Sequence, residues 1–303
     1  MPLPRDEPID PLKAALAAKA RDGAPGGMRA RVIAQGEDWH ALDVLCTAGP
    51  EDRAYEEVHD QSSVSVVLAG TFHYRAEDGA ALMTPGAVLL GERGRCFACG
   101  HEHGEGDRCV SFQFGPALLE RIAADAGARR TDFAIPRLPP SRRTAALAAR
   151  AARALAEPQT AEETALALAG LALRADGKAP LPQVGARDLA RAAAAARRIA
   201  AEPHEPHTVA SLARQAELSS FRFLRAFKAA VGASPHQFLV RLRLADAARR
   251  LLDTRDSVTA IAYEVGFEDL SNFTRAFRAE FSVNPRAWRT LRGREKAVVP
   301  APA

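Results

Sequence analysis

The spacing of apolar and polar residues changes character along the chain. Between residues 31 and 115 the apolar residues come in short runs rich in β-branched and aromatic types: Val64-Ser65-Val66-Val67-Leu68, Gly86-Ala87-Val88-Leu89-Leu90 and Val110-Ser111-Phe112-Gln113-Phe114. Turn residues separate them, at Ala69-Gly70, Glu77-Asp78-Gly79 and Pro85-Gly86. Short strands at this spacing predict a small all-β barrel or sandwich. From 116 to 176 the period becomes helical. Pro116 opens one helix at its first turn, and Ser141–Glu157 and Thr160–Ala175 predict a packed helical hairpin. Leu147, Ala151, Ala154 and Leu155 form a stripe at i, i+4, i+7, i+8. The stripe suits packing on the chain's own β domain and a dimer seam equally well.

The last ~110 residues predict helices throughout. Arg187–Ala201 is stopped by Pro203 and Pro206, and Thr208 caps a short helix, Val209–Ala216. A turn at Glu217-Leu218-Ser219 leads into Ser220–Val231, which Gly232 ends. Ser234-Pro235 starts a long helix to Asp253, Ser257 caps another short one, and Leu270–Phe281 follows a turn at Gly266. Pro285 starts the last helix. Two units of short helix, tight turn and second helix therefore stand side by side, the shape in which a second helix enters a DNA major groove. Their second helices repeat one pattern, Phe223-x-Arg225-x-Phe227-Lys228 and Phe273-x-Arg275-x-Phe277-Arg278. Phenylalanines four apart share a buried face, and the arginine between them lies on another. The helix between the units would run ~27 Å, against ~34 Å between successive major-groove faces on one side of B-DNA.

Composition sharpens this division. The chain has 303 residues, 47% hydrophobic and 26% charged, enough for about two domains of ~150 residues each. Residues 187–296 carry 20 Lys/Arg against 12 Asp/Glu, while the rest carries 21 against 25. A basic segment beside a slightly acidic body predicts one part that meets a polyanion and one that does not. Residues 1–30, broken by proline and glycine apart from an apolar stretch near Pro11–Ala20, read as a flexible extension, and 177–186 as a linker. The charged, proline-broken start lacks the apolar core of a signal peptide. No run reaches the ~18 apolar residues of a spanning helix, so a cytoplasmic chain without a membrane partner is expected. Four cysteines make no disulfide framework.

One cluster carries candidate chemistry of its own. Three of the four cysteines and two of the eight histidines fall within 14 residues, from Cys96 to Cys109. Thiolate with imidazole is a ligand set for Zn²⁺. If the backbone is extended, Cys99, His101 and His103 share a face, and Cys109 could complete four ligands. Cys96, of opposite parity, is the alternative. Two further readings stay open: an inert reduced hairpin, and a redox sensor built on Cys96-x-x-Cys99. Cys46 reads as a buried core thiol.

The C-terminal motifs identify a resemblance. Leu212-Ala213, Leu218-Ser219, the two Phe-x-Arg-x-Phe repeats and Gly232-x-Ser234-Pro235 resemble the DNA-binding domain of the AraC/XylS family. So do Arg241-Leu242-x-x-Ala245, Ile261-Ala262-x-x-x-Gly266-Phe267 and Pro285-x-x-Trp288-Arg289. Residues 57–115 resemble the cupin-like half of such regulators through His59, the Val64–Gly70 strand, Pro85-Gly86 and Phe112-x-Phe114. The resemblance implies an α+β multidomain chain. A cupin-like sensor and dimerisation domain would occupy 31–176, β-rich to 115 and helical from 116. An all-α domain with two helix-turn-helix motifs would occupy 187–296.

It also implies contacts with bases or phosphates through Phe221, Arg222, Leu224 and Arg225, and through Leu270, Ser271, Asn272 and Arg275. Arginine can hold guanine, and asparagine adenine, with two hydrogen bonds; Lys228 and Arg278 suit phosphates. Leu224 departs from the polar residues usual there and would touch a thymine methyl or read little. The function expected is a sequence-specific transcription regulator rather than an enzyme. Its partners would be double-stranded promoter DNA and an effector of unknown identity, with RNA polymerase and a second copy of the chain as candidates. The rivals are a metal-cupin or cysteine-acceptor enzyme fused to such a domain, and a constitutive dimeric DNA binder.

Overall fold

The computed structural model describes residues 10–52, 56–77, 79–175 and 184–294. Ten strands among them make two antiparallel sheets. One has the order β1 (Met28–Gly36), β2 (Trp39–Cys46), β9 (Asp107–Phe114), β4 (Ser62–Gly70), β7 (Val88–Gly91), β10 (Arg137–Leu138). The other has the order β3 (Glu56–Val58), β8 (Cys96–Gly100), β5 (Phe72–Ala76), β6 (Gly79–Met83). Alternation along β9 gives the large sheet two buried faces. Val110, Phe112 and Phe114 point outward with Val64, Val66, Val88 and Leu90, and are covered by helices. Cys109 points inward, where it meets Val67, Phe72, Tyr74, Met83 and Leu89 between the sheets.

The covering helices are α2 (Pro116–Asp125), α3 (Arg142–Ala154) and α4 (Ala161–Leu173). Leu147, Ala151, Ala154 and Leu155 pack into the core beneath them, so the stripe whose partner the sequence left open lies on the chain's own β domain. The opposite face of α3 presents Ala145, Ala146 and Ala149 to the second helix-turn-helix core. One alanine-rich helix thus serves two cores, because small side chains on both faces allow close approach.

Within the segment expected as a flexible extension, the chain is helical from Pro11 to Asp22. Asp10 caps α1 (Pro11–Asp22), accepting from the Leu12 amide at 3.0 Å. Lys19 Nζ ties the helix to the Thr47 carbonyl at 2.9 Å and to Asp52 at 2.7 Å. Leu12 is buried and lies with Leu16 against the backbone of Gly106, while β1 begins at Met28. The linker expected at 177–186 falls largely outside the described residues.

The C-terminal part runs α5 (Ala186–Ala201), α6 (Val209–Gln215), α7 (Ser220–Val231), α8 (Pro235–Asp253), α9 (Val258–Glu264), α10 (Leu270–Phe281) and α11 (Pro285–Arg294). Its caps are local. Thr208, Ser219, Ser234 and Ser257 each accept from an amide of the helix that follows, satisfying donors that have no partner inside the helix. Gly232 ends α7 at φ 86°, a left-handed turn that glycine adopts without steric cost. Two cores form. Phe223, Phe227, Phe238 and Ile199 centre the first; Phe273, Phe277, Phe281 and Trp288 centre the second.

Candidate nucleic-acid interface and the thiol–imidazole cluster

The buried phenylalanines orient the two second helices. In α7, burying Phe223, Phe227 and Ala230 turns Phe221, Arg222, Arg225 and Lys228 to solvent. In α10, burying Phe273 and Phe277 exposes Ser271, Asn272, Arg275 and Arg278. The exposed residues occupy equivalent positions in the two helices. Leu224 and Leu270 are only half-exposed, and Leu270 packs against the second core.

Phe221 is 72% exposed, and the Arg225 guanidinium lies 5.8 Å from its ring centroid. This large aromatic residue at the start of α7 is thus left in water rather than packed into a core. Arg222 reaches both carboxylate oxygens of Asp188 on α5 at 3.2 Å, an exposed pair of small net strength. Asp269 caps α10 by accepting from the Ser271 and Asn272 amides at 3.2 and 2.7 Å. Arg275 donates to Asn272 Oδ1 at 2.9 Å, so these two side chains are held side by side on the exposed face.

Between the units, α8 carries 19 residues, or ~28 Å at the helical rise. Its Arg243 donates to the carbonyls of Pro203 and Gly266, both at 2.6 Å. That guanidinium links the segment before the first unit to the turn of the second, and burial lowers its pKa. The relative placement of the two units is therefore held by a charged donor as well as by the helix.

The candidate ligands of the β domain are arranged differently from the spacing argument. Cys96 is exposed and Cys99 half-buried on β8. They differ in parity and so point to opposite faces of the strand, which leaves the Cys-x-x-Cys pair unable to meet while β8 persists. The chain leaves β8 after Gly100, so the shared face of Cys99, His101 and His103 does not form. His103 turns to Thr71, with Nε2 2.7 Å from the carbonyl oxygen and 2.9 Å from Oγ1. Cys109 is buried in the inter-sheet core, and burial pushes its thiol pKa up, as it does for Cys99.

His101 instead meets two residues outside the expected set. Its Nε2 lies 2.9 Å from Asp107 Oδ2 and 3.6 Å from Cys46 Sγ. Burial opposes its protonation, but hydrogen bonds to Asp107 and Cys46 outweigh that and raise its pKa to about 9. Cys46, read from the sequence as a core thiol, stands directly opposite Asp107 in the β2–β9 register. The 55 positions between Cys46 and His101 hid the grouping, and no local signal in the sequence pointed to it. Toward the other end of β2, a cavity of about 520 Å³ is lined by Gln35, Asp38, Trp39, His40, Gln61 and Phe114.

Comparison with known proteins agrees with this architecture. Residues 44–174 match the AraC-like ligand binding domain, and residues 212–291 match a helix-turn-helix domain. The transcriptional regulator MtrA of Neisseria gonorrhoeae is 33% identical over 94 residues, 31% of this chain and 31% of that protein. The transcriptional activator RhaS of Pectobacterium carotovorum is 40% identical over 79 residues, 26% and 28% of the two chains. The chain thus aligns with under a third of the length of these relatives. A probable AraC family transcriptional regulator from Rhodopseudomonas palustris, of known structure, is 30% identical with a TM-score of 0.32, covering 34% of this chain and 97% of that one. The DNA-binding domain of AdpA, solved with a target DNA, is 28% identical with a TM-score of 0.33, covering 37% and 98%. No helix among the described residues is long and apolar enough to cross a membrane. With a cupin-like ligand-binding domain followed by two helix-turn-helix units, the chain belongs to the AraC family of DNA-binding transcription regulators.

Proposed function

We propose that one chain reads an asymmetric promoter site, with α7 and α10 in successive major grooves. Residues 31–176 carry the effector response and 187–296 the DNA contacts. The observation that carries this reading is the pair of matching exposed faces, each held outward by phenylalanines on the opposite side of its helix. Arg225, Asn272 and Arg275 supply base contacts, since their forked donors and acceptors match guanine and adenine edges. Lys228 and Arg278, one turn further on, supply phosphate contacts that set register. Phe221 and Leu224 offer apolar contact to thymine methyls or sugars. Ser271 and Leu270 lie at the N-terminal end of α10; the Ser271 hydroxyl suits a phosphate, and Leu270 offers apolar contact beside it. Arg222 contributes once it exchanges Asp188 for the duplex.

Selection of bound duplexes from a random pool supplies the site for the test. Affinity for that site should fall by orders of magnitude between about 50 and 200 mM salt. Arg225→Ala and Arg275→Ala should each weaken it by about 1–3 kcal/mol and relax specificity at one position. Titrations in which both variants bind as the wild type does would remove these roles. A selected site too short to span two grooves would remove the two-groove arrangement.

A further inference from the structure

We propose that Cys46 Sγ, His101 Nε2 and Asp107 Oδ2 form a binding site for one borderline divalent ion, Zn²⁺ foremost, at the α1 end of the barrel. The three atoms lie within 4.8 Å of one another. They combine a soft thiolate, an imidazole and a carboxylate, the donor set that favours zinc over magnesium or calcium. Bonds of ~2.3 Å to sulfur and ~2.0 Å to nitrogen at a tetrahedral angle put those two atoms ~3.5 Å apart. The observed Sγ–Nε2 separation is 3.6 Å. The Nε2–Oδ2 distance of 2.9 Å has to open by ~0.5 Å, within reach of the soft terminal torsion of an aspartate.

A ring nitrogen has a single in-plane direction for a proton or a lone pair, and Nε2 shares that direction between a carboxylate and a sulfur. An ion on that direction engages all three groups. Two of the three side chains are well covered: those of His101 and Asp107 are 6% and 7% exposed, while Cys46 is half-buried. The neighbouring Arg108 gives its guanidinium to Asp43 rather than to Asp107. Binding would release the thiol and imidazole protons and leave thiolate, carboxylate and Zn²⁺ with no net charge.

The backbone around Asp107 is shaped for close approach. Gly70, opposite it in the β4–β9 register, has φ 80°, and a Cβ there would lie 2.6 Å from Asp107 Cα. Gly106 has φ 65°, and a Cβ there would lie 2.6 Å from the Cys46 carbonyl oxygen and 3.0 Å from Leu12. Glycine at both positions lets the ends of β2, β4 and β9 close on the cluster with α1 as a cover. Cys99, on the facing sheet, is close enough to feel the charges of Asp107 and Cys46, but it lies outside the three-atom cluster. This site is independent of the DNA-reading assignment.

The test uses full-length protein stripped with a chelator, kept reduced and titrated with Co²⁺. The wild type should take up one equivalent per chain and develop a thiolate-to-cobalt charge-transfer band, which Zn²⁺ bleaches. Cys46→Ser should abolish the band, and Asp107→Asn should weaken Co²⁺ binding roughly tenfold or more. Cys96→Ser, on the exposed face of β8, should change neither. Thermal melts of each variant identify any that fail to fold, and the wild-type titration stands without them. Absence of the band in the wild type overturns the site. A band that survives Cys46→Ser but is lost in Cys99→Ser overturns this ligand set. Folded Cys46→Ser and Asp107→Asn proteins that bind Co²⁺ as the wild type does also overturn it.

Discussion

Replacing Arg137 with methionine should loosen the hold of the β domain on the first helix-turn-helix unit. Arg137 is 3% exposed. Its Nη1 donates to the Leu82 carbonyl on β6 at 2.6 Å and to the Ala230 carbonyl near the end of α7 at 2.8 Å. Ala230 is among the last carbonyls of α7, which have no partner inside the helix. Hydrogen bonds from a charged donor contribute about 1.5–3 kcal/mol each, so the pair supplies roughly 3–6 kcal/mol before costs. Burial lowers the pKa of Arg137 from 12.5 to about 10, a desolvation cost on the order of 3 kcal/mol, and its Nε is buried without a partner. Methionine avoids that cost, fills similar volume and leaves both carbonyls without their donor.

The balance is a loss of about 1–3 kcal/mol. For a chain of this size that means a Tm lower by roughly 2–5 °C, and the two domains should begin to unfold separately. Scanning calorimetry of wild type, Arg137→Met and Arg137→Lys measures both effects. Lysine keeps the charge but not the fork, so its Tm should fall between the other two. A methionine variant that melts within about 1 °C of wild type in one transition would refute the clamp.

Stability should also fall with acid through His59. Its Nε2 lies 2.8 Å from the Tyr74 hydroxyl and its ring stacks on Phe97 at 4.0 Å. Burial lowers its pKa from 6.5 to about 4, against a smaller opposing effect of Asp60. The unfolded chain therefore takes up a proton near pH 6.5 that the folded protein refuses until about pH 4. The contribution of His59 is full above 6.5 and declines across that window by up to roughly 3 kcal/mol. Urea midpoints measured across it should show the decline, and His59→Gln should flatten it. Gly232→Ala should cost about 2 kcal/mol, because it combines a left-handed φ with a Cβ 2.5 Å from Pro139 Cβ; urea titration checks it. Ser282 ends α10 at φ 63°, where α7 has Gly232. Ser282→Gly should therefore raise stability by about 0.5–1 kcal/mol, and a variant no more stable than wild type would contradict that account.

The DNA-binding half was legible because its information is local. Ser219, Ser234, Ser257 and Gly232 sit at helix ends whose unpaired amides and carbonyls need them, and the predicted bounds of α7, α8 and α10 are those observed. The spacing of Phe223 and Phe227, and of Phe273 and Phe277, dictates which side chains of each helix face water. Contacts between distant segments were not legible in this way. The stripe of Leu147 and Ala151 was plain, but only packing chose the β domain as its partner. Asp10 and Lys19 anchor a segment whose composition reads as loose. Cys46 joins His101 and Asp107 only because the register of β2 on β9 sets it there, and a register is a pairing between strands that no single stretch of residues encodes.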